Sequence, residues 1–72
     1  MSIYNVGGFK LDLCENERGC TDVFLYSGNY YGSLAAAEQE GVIENDHGDE
    51  KRVPRHVIKR VYELIESENI NY

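Results

Sequence analysis

The sequence predicts a small α+β domain in which an antiparallel sheet of two to four strands is packed by a C-terminal amphipathic helix, with one short helix beside it. Residues 9–13 alternate apolar and charged side chains, as a strand with one buried face does. Residues 20–26 favour β-structure and follow a polar loop, which indicates a returning strand. Residues 57–65 carry apolar side chains at helical spacing. We expect residues 1–72 to form a single domain.

The N-terminal glycine pair leaves two arrangements open. Gly7 and Gly8 separate a β-favouring segment from the alternating strand. They could form a two-residue hairpin turn or a bulge within one long strand. Tyr4 and Val6 have even numbers, whereas the apolar residues after the pair have odd numbers, so one inserted residue would bring both sets onto one face. We therefore favour the bulge.

A polar loop over residues 15–19 joins the two strands, so residues 2–14 and 20–27 are expected to build the sheet. Cys14 and Cys20 bracket this loop, near enough for a disulfide if the strands align there. Reduced thiols are the better expectation in a cytoplasmic chain, and the question of pairing stays open.

The sequence carries no motif for a metal, a cofactor or catalysis. His47 and His56 lack the spacing that a zinc site needs. The acidic segment 44–50 does not match an EF-hand, because placing Gly48 at the sixth loop position puts Ile43 at the first. A chain of 72 residues also has little room for a concave site. We expect no cofactor, no metal and no enzymatic activity.

Two helices are predicted in the second half of the chain. Ser33 is suited to be the N-cap of a short helix over residues 34–40, and Gly41 is suited to end it. Pro54 suits the first position of the last helix. A small second hairpin fits residues 42–53 between them. The residues after the last helix are expected to fray.

Charge is unevenly distributed along the chain. The net charge is −6: residues 1–50 hold two bases against ten acids, and residues 51–72 hold five bases against three acids. In the last helix the bases precede the acids, opposite to what the helix dipole favours, and we expect the acidic segment 44–50 to supply their counter-charge. A mostly acidic chain repels phosphate. Direct nucleic-acid binding is therefore disfavoured, and the expected partner is a larger protein with a basic surface.

Six tyrosines and no tryptophan fit a contact surface, because tyrosine offers a large contact area at low entropic cost. The alternative is that the tyrosines cap the small core. The predicted contact residues combine tyrosines near the central turn with nearby acids. They are Asp22, Tyr26, Tyr30, Tyr31, Glu44, Asp46, Asp49 and Glu50.

The chain resembles, in type, the small acidic inhibitors that bacteriophages encode, of the anti-CRISPR and anti-restriction kind. The resemblance covers size, acidity, the strand pair around Gly7-Gly8-Phe9 and the Val53-Pro54 opening of the last helix. It implies a non-enzymatic protein-binding module. Such a module would block a basic, nucleic-acid-binding surface of a host defence protein such as a CRISPR effector, in the host cell cytoplasm.

Two alternatives stay open. The basic first half of the last helix, with Arg52, Arg55, Lys59 and Arg60, could bind nucleic acid or act as a regulatory surface. The chain could instead be a structural or assembly subunit. The same surfaces would then contact copies of the chain itself, for example in a homodimer. No apolar run approaches the length of a membrane span and no signal-peptide pattern opens the chain, so a cytoplasmic location is expected.

Overall fold

The structure, a computed structural model, describes residues 4–72. Within these residues, six strands and two helices follow one another in the order ββββαββα. The elements are β1 (Tyr4–Val6), β2 (Phe9–Glu15), β3 (Thr21–Ser27), β4 (Tyr30–Ser33), α1 (Leu34–Glu40), β5 (Val42–Glu44), β6 (Glu50–Arg52) and α2 (Arg55–Ser67).

The six strands of residues 4–72 form one antiparallel sheet whose spatial order follows the chain from β1 to β6. The α+β class is therefore as predicted, but the expected number of two to four strands is wrong. β5 and β6 have three residues each, which is too short for an alternating period to appear in the sequence. β4 contains Gly32 between polar and aromatic residues, a composition that indicates a turn.

Gly7 and Gly8 form the two-residue turn of the β1–β2 hairpin, so the expected bulge is wrong. Their φ angles are 56° and 88°, as a type I′ turn requires. Tyr4 pairs with Leu11 and Val6 with Phe9, so paired residues have opposite parity. Even-numbered residues of β1 and odd-numbered residues of β2 therefore lie on the same face, and no inserted residue is needed. The change of parity that favoured a bulge is equally explained by this hairpin.

One face of the sheet and both helices bury a common apolar core. Within the described residues, the buried side chains are all apolar. The buried set comprises Val6, Phe9, Leu11, Val23, Leu25 and Ile43 from the strands, Val53 from the connection before α2, and Leu34, Ala37, Val57, Val61 and Ile65 from the helices. Both helices therefore cover the same face, and the other face carries the side chains that alternate with the core.

Lys51 shows that the sheet is strongly curved. Its Nζ atom lies 5.9 Å from the ring centroid of Phe9 on β2 and 5.8 Å from that of Tyr30 on β4. In a flat sheet, β6 would lie four strand spacings from β2, or about 19 Å away. The sheet must therefore curl around its helix-covered face, which brings its last strand back toward the second and makes the opposite face convex.

Local signals end both helices. The N–H of Ala36 donates to Ser33 Oγ at 3.1 Å, which caps α1, and Gly41 adopts a φ of 74° after the last residue. At the end of α2, Asn69 adopts a φ of 54°, and the N–H of Ile70 donates to the carbonyl of Ile65 at 2.9 Å. This is a Schellman cap. No helix within residues 4–72 is long and apolar enough to span a membrane.

The C-terminal residues are held against the sheet, so the expectation that they fray is wrong. The side chain of Asn71 donates from Nδ2 to the carbonyl oxygen of Gly19 at 2.7 Å. Ile70 packs on the core. The Schellman cap turns the chain back toward the β2–β3 loop. This turn places the Asn71 amide within hydrogen-bond distance of the Gly19 carbonyl oxygen.

The β2–β3 and β5–β6 hairpins share one loop design, in which an asparagine occupies the first position. Asn45 Oδ1 accepts hydrogen bonds from the N–H groups of His47 at 3.0 Å and Asp49 at 2.9 Å. Asn16 Oδ1 accepts in the same way from Arg18 at 2.9 Å and from the N–H two residues further on at 3.1 Å. Both loops have the sequence Asn-x-x-Gly, which is a turn signal that can be recognised from the sequence alone.

We expect Asn45→Ala to lower the free energy of unfolding by about 1–2 kcal/mol, because it leaves two loop amides without their acceptor. Urea unfolding measures the change. Asp46→Ala, next to it at the exposed tip of the loop, is the matched control and should have little effect. Equal effects of the two substitutions would contradict the role assigned to Asn45.

Candidate protein-binding surface

The convex side of the sheet, opposite the helices, is the surface we call the open face. Its residues follow from the strand register, because successive side chains in a strand point to opposite sides. The open face carries Asn5 on β1, Lys10, Asp12 and Cys14 on β2, Asp22, Phe24 and Tyr26 on β3, Tyr31 and Ser33 on β4, Val42 and Glu44 on β5, and Glu50 and Arg52 on β6.

An exposed aromatic stack lies at the centre of the open face. The rings of Phe24 and Tyr31 have centroids 5.3 Å apart and planes inclined by 13°. Tyr26 lies directly opposite Tyr31 in the β3–β4 pair. Tyr31 remains 52% exposed, the largest exposure of any large apolar residue in the described part of the chain. An aromatic ring that is stacked on a neighbour and still half exposed is well placed to contact a partner.

Carboxylates surround this stack. Asp12 lies opposite Phe24, and Asp22 is two residues along the same strand. Glu44 lies opposite Tyr31, and Glu50 lies opposite Glu44. These four acids outnumber the bases of the open face, which are Lys10 and Arg52. The surface is therefore aromatic at its centre and acidic around it.

The structure brings five of the eight predicted contact residues together on the open face. They are Asp22, Tyr26, Tyr31, Glu44 and Glu50. Tyr30 lies on the other face, where its ring faces Lys51 Nζ at 5.8 Å. Asp46 and Asp49 lie in the β5–β6 loop rather than on the sheet.

Two of the predicted acids also hold loops. Asp22 Oδ1 accepts a hydrogen bond from Asn16 Nδ2 at 3.2 Å. Asp49 Oδ2 accepts one from Asn45 Nδ2 at 3.3 Å. These contacts are exposed and weak, so both carboxylates keep oxygen atoms that are free to meet a partner.

A shallow cleft of about 310 Å³ opens beside Tyr31. Glu44 flanks the cleft from β5, and Glu40 flanks it from the last turn of α1. Glu40 and Phe24 were not among the predicted contact residues. Phe24 could not be recognised because its stacking on Tyr31 depends on the register between two strands, and Glu40 because its position depends on how α1 leaves the sheet.

A second, larger groove of about 750 Å³ lies between α1 and α2, so the expectation that so short a chain has little room for a concave site is wrong. Arg52, Arg55 and Lys59 line it on one side, and Glu38 and Glu40 line it on the other. The groove therefore carries both signs of charge. A polyanion would meet carboxylates as well as cations there.

The expected pairing of the acidic segment 44–50 with the bases of α2 is not formed. The ion pair found within residues 4–72 joins Arg60 Nη1 to Glu63 Oε1 at 3.7 Å, both on α2 and both exposed. The β5–β6 loop instead uses its polar side chains to close its own turn. Surface pairs of this kind contribute little, so the bases of α2 can remain solvated at small cost.

Tyr62 lies in the groove between the helices. Partial burial, followed by the neighbouring Glu38 carboxylate and by Tyr72, raises its pKa from 10.0 to about 12. The Tyr72 ring meets the Tyr62 ring edge-on, with centroids 6.1 Å apart. The hydroxyl of Tyr62 therefore stays neutral at physiological pH.

We expect the raised pKa of Tyr62 to make the fold lose stability between pH 10 and 12. The folded state holds this proton more tightly than the unfolded chain does, so its stabilising effect is complete below pH 10 and is lost as the pH rises through the folded pKa. Tyr62→Phe removes the group and should reduce the slope of the free energy of unfolding in that window. Thermal unfolding at several alkaline pH values measures it, and an unchanged slope in the variant would contradict the assignment.

The structure gives no sign of a metal site or of a disulfide in residues 4–72. No cluster of three or more histidine, cysteine, aspartate or glutamate side chains there is arranged to hold a metal ion. Cys14 and Cys20 are not joined by a disulfide in this structure.

A fold alone does not define a function, which depends on the chemistry of particular sites. Comparisons with protein families, with curated proteins and with solved structures found no significant match.

Proposed function

We propose that the protein is a non-enzymatic binding module that uses the open face to cover a basic surface of a larger protein. The observation that carries the proposal is the Phe24–Tyr31 stack with its exposed Tyr31 ring, flanked by four carboxylates on the side of the sheet that the helices leave uncovered. The molecule measures 32 × 26 × 22 Å. One side of it thus offers on the order of 800 Å², which is what each partner contributes to a standard interface.

The two kinds of residue on the open face would divide the work of binding. Exposed tyrosine is enriched among the few residues that dominate interface energies, so Tyr31 is the expected anchor. The surrounding carboxylates attract a basic partner over a longer range and align it during the encounter. Salt should therefore slow association more than it speeds dissociation.

The proposed target is a protein whose basic surface binds nucleic acid. A surface built to hold phosphates is rich in arginine and lysine, and an acidic cover competes with the phosphates directly. The resemblance in type to phage-encoded inhibitors, of the anti-CRISPR and anti-restriction kind, makes a host defence protein such as a CRISPR effector the proposed target. The proposed location is then the host cell cytoplasm.

A second candidate function is nucleic-acid binding through the basic side of the groove. Its support is that Arg52, Arg55 and Lys59 form no ion pair within 4.0 Å among the described residues. Glu38 and Glu40 across the groove oppose it, so we rank it second. The discriminating measurement is the salt dependence of DNA affinity, whose slope on a logarithmic plot reports the phosphates neutralised.

The proposal is tested by affinity capture from bacterial lysate at low and moderate salt, with mass spectrometry of the captured proteins. Wild type is compared with Tyr31→Ser and with Tyr72→Ser, because Tyr72 is the other exposed tyrosine of the described residues, at 46% exposure. We expect a stoichiometric partner with a basic surface that Tyr31→Ser loses and Tyr72→Ser retains. A partner retained by both variants would contradict binding through the open face.

A further inference from the structure

We infer that the cleft beside Tyr31 is a receptor for a guanidinium group, so that the partner of the open face inserts an arginine side chain there. The inference rests on the proposed function and specifies what the partner supplies. The cleft has one aromatic wall, two carboxylates and a floor of small and branched apolar residues. Its lining comprises Tyr31, Gly32, Ala36, Glu40, Val42, Ile43 and Glu44.

The cleft exists because the sheet is interrupted between β4 and β5. After Ser33 the chain leaves the sheet as α1, so β4 and β5 are paired at one position, Tyr31 opposite Glu44. The small side chain of Ala36 leaves space at this opening, whereas the space beside Gly32 is already occupied by Ile43. Glu40, at the end of α1, returns toward the same opening. Tyr31, Glu40 and Glu44 thus line one space of about 310 Å³.

A guanidinium group fits this chemistry better than an ammonium group does. It is planar, so it can stack on the exposed face of Tyr31 while its N–H groups point sideways at carboxylates. Its fork of donors suits two carboxylates at once. An ammonium group carries the same charge but stacks less well and is more strongly hydrated. The cleft should therefore bind arginine more tightly than lysine.

The carboxylates of Glu40 and Glu44 both occupy positions where electrostatic repulsion destabilises the fold of the free protein. Glu40 lies in the last turn of α1, where the helix dipole repels a negative charge, and α1 has no basic residue in that turn. Glu44 lies directly opposite Glu50, and like charges in that position repel. Residues that break local rules of stability are often retained for function. Here a cation bound between Glu40 and Glu44 would relieve the repulsion.

The test is an NMR titration of the ¹⁵N-labelled protein with two capped tripeptides, glycine-arginine-glycine and glycine-lysine-glycine. We expect the arginine peptide to shift the amide signals of Gly32, Ala36, Glu40 and Val42, and to bind about threefold or more tightly than the lysine peptide. Glu40→Gln should weaken the arginine peptide by about three- to tenfold. The same variant should raise Tm by about 2–5 °C, because it removes the repulsion at the helix end.

Glu63→Gln is the matched control, because Glu63 is exposed on α2 and does not line the cleft. It should leave peptide binding unchanged. Equal binding of the two peptides, or shifts confined to other parts of the open face, would overturn the guanidinium cleft and leave the open face as the proposed binding surface. Absence of any shift would also overturn the cleft. Failure of the proposed function is a separate result: the Tyr31→Ser variant would then capture the same partner from lysate as the wild type does.

Discussion

Gly32→Ala is expected to lower the free energy of unfolding by about 2–3 kcal/mol, as overpacking of a tightly packed site does. A Cβ atom at this position would lie 2.7 Å from Ile43 Cγ2 and 3.2 Å from Ile43 Cβ. Ile43 is 2% exposed and belongs to the core, so it cannot turn away into solvent. The added methyl group would push β5 away from β4. Urea unfolding measures the loss, which is a large part of the stability of so small a domain.

A second substitution can show that the loss comes from this contact. Leucine at position 43 has no β-branch, so Ile43→Leu removes the Cγ2 methyl group that the new Cβ would meet. The double variant Gly32→Ala/Ile43→Leu should therefore be more stable than the sum of the single effects predicts, by about 1 kcal/mol. Additive effects would contradict the close packing of β4 and β5 at Gly32.

Val61→Asp is expected to leave the chain largely unfolded. Val61 is 0% exposed and lies among apolar core residues, so the substitution places a carboxylate where it has no partner. Burying an unpaired polar or charged group costs several kcal/mol, which is comparable with the whole stability expected for 72 residues. Far-UV circular dichroism and the dispersion of NMR signals measure the result.

Lys59→Asp is the matched control for Val61→Asp. It introduces the same side chain on the exposed side of α2, two residues earlier. The control should remain folded, with only a small change in stability. If Val61→Asp is as stable as the control, α2 does not bury this face against the sheet.

Local side-chain signals make the ends of the helices predictable from sequence. Ser33 caps α1 and Gly41 ends it, so the residues that signal the helix are the residues that bound it. The apolar period predicts α2, but Pro54, expected at the first helical position, is instead the N-cap, and the helix begins one residue later at Arg55. Both signals act within a few residues, which is why one sequence suffices.

The number of strands and the nature of the first turn depend on contacts that the sequence does not show. β4 is a strand because it pairs with β3, with Tyr31 opposite Tyr26. Its own four residues contain a glycine and show no clear alternation. Gly7 and Gly8 fit a turn and a bulge equally well until the partner of Val6 is known.

The sequence predicts the classes of residue that the open face carries, but only some of the individual residues. The open face carries acidic residues and tyrosines, the two classes predicted for a contact surface, but their grouping on one face follows only from the strand register. Tyr30 and Tyr31 are adjacent in sequence, yet they lie on opposite faces. Phe24 is recognised as part of the open face only because its ring stacks on that of Tyr31 in the structure.

The measurement that tests the open face most directly is an NMR map of the complex with a purified basic partner. We expect the largest amide shifts to cluster at Phe24, Tyr26, Tyr31 and Glu44, and we expect Tyr31→Ser to weaken binding about tenfold or more, as the loss of an interface anchor does. Shifts clustered instead at Arg55, Ile58 and Lys59, in the groove between the helices, would contradict binding through the open face.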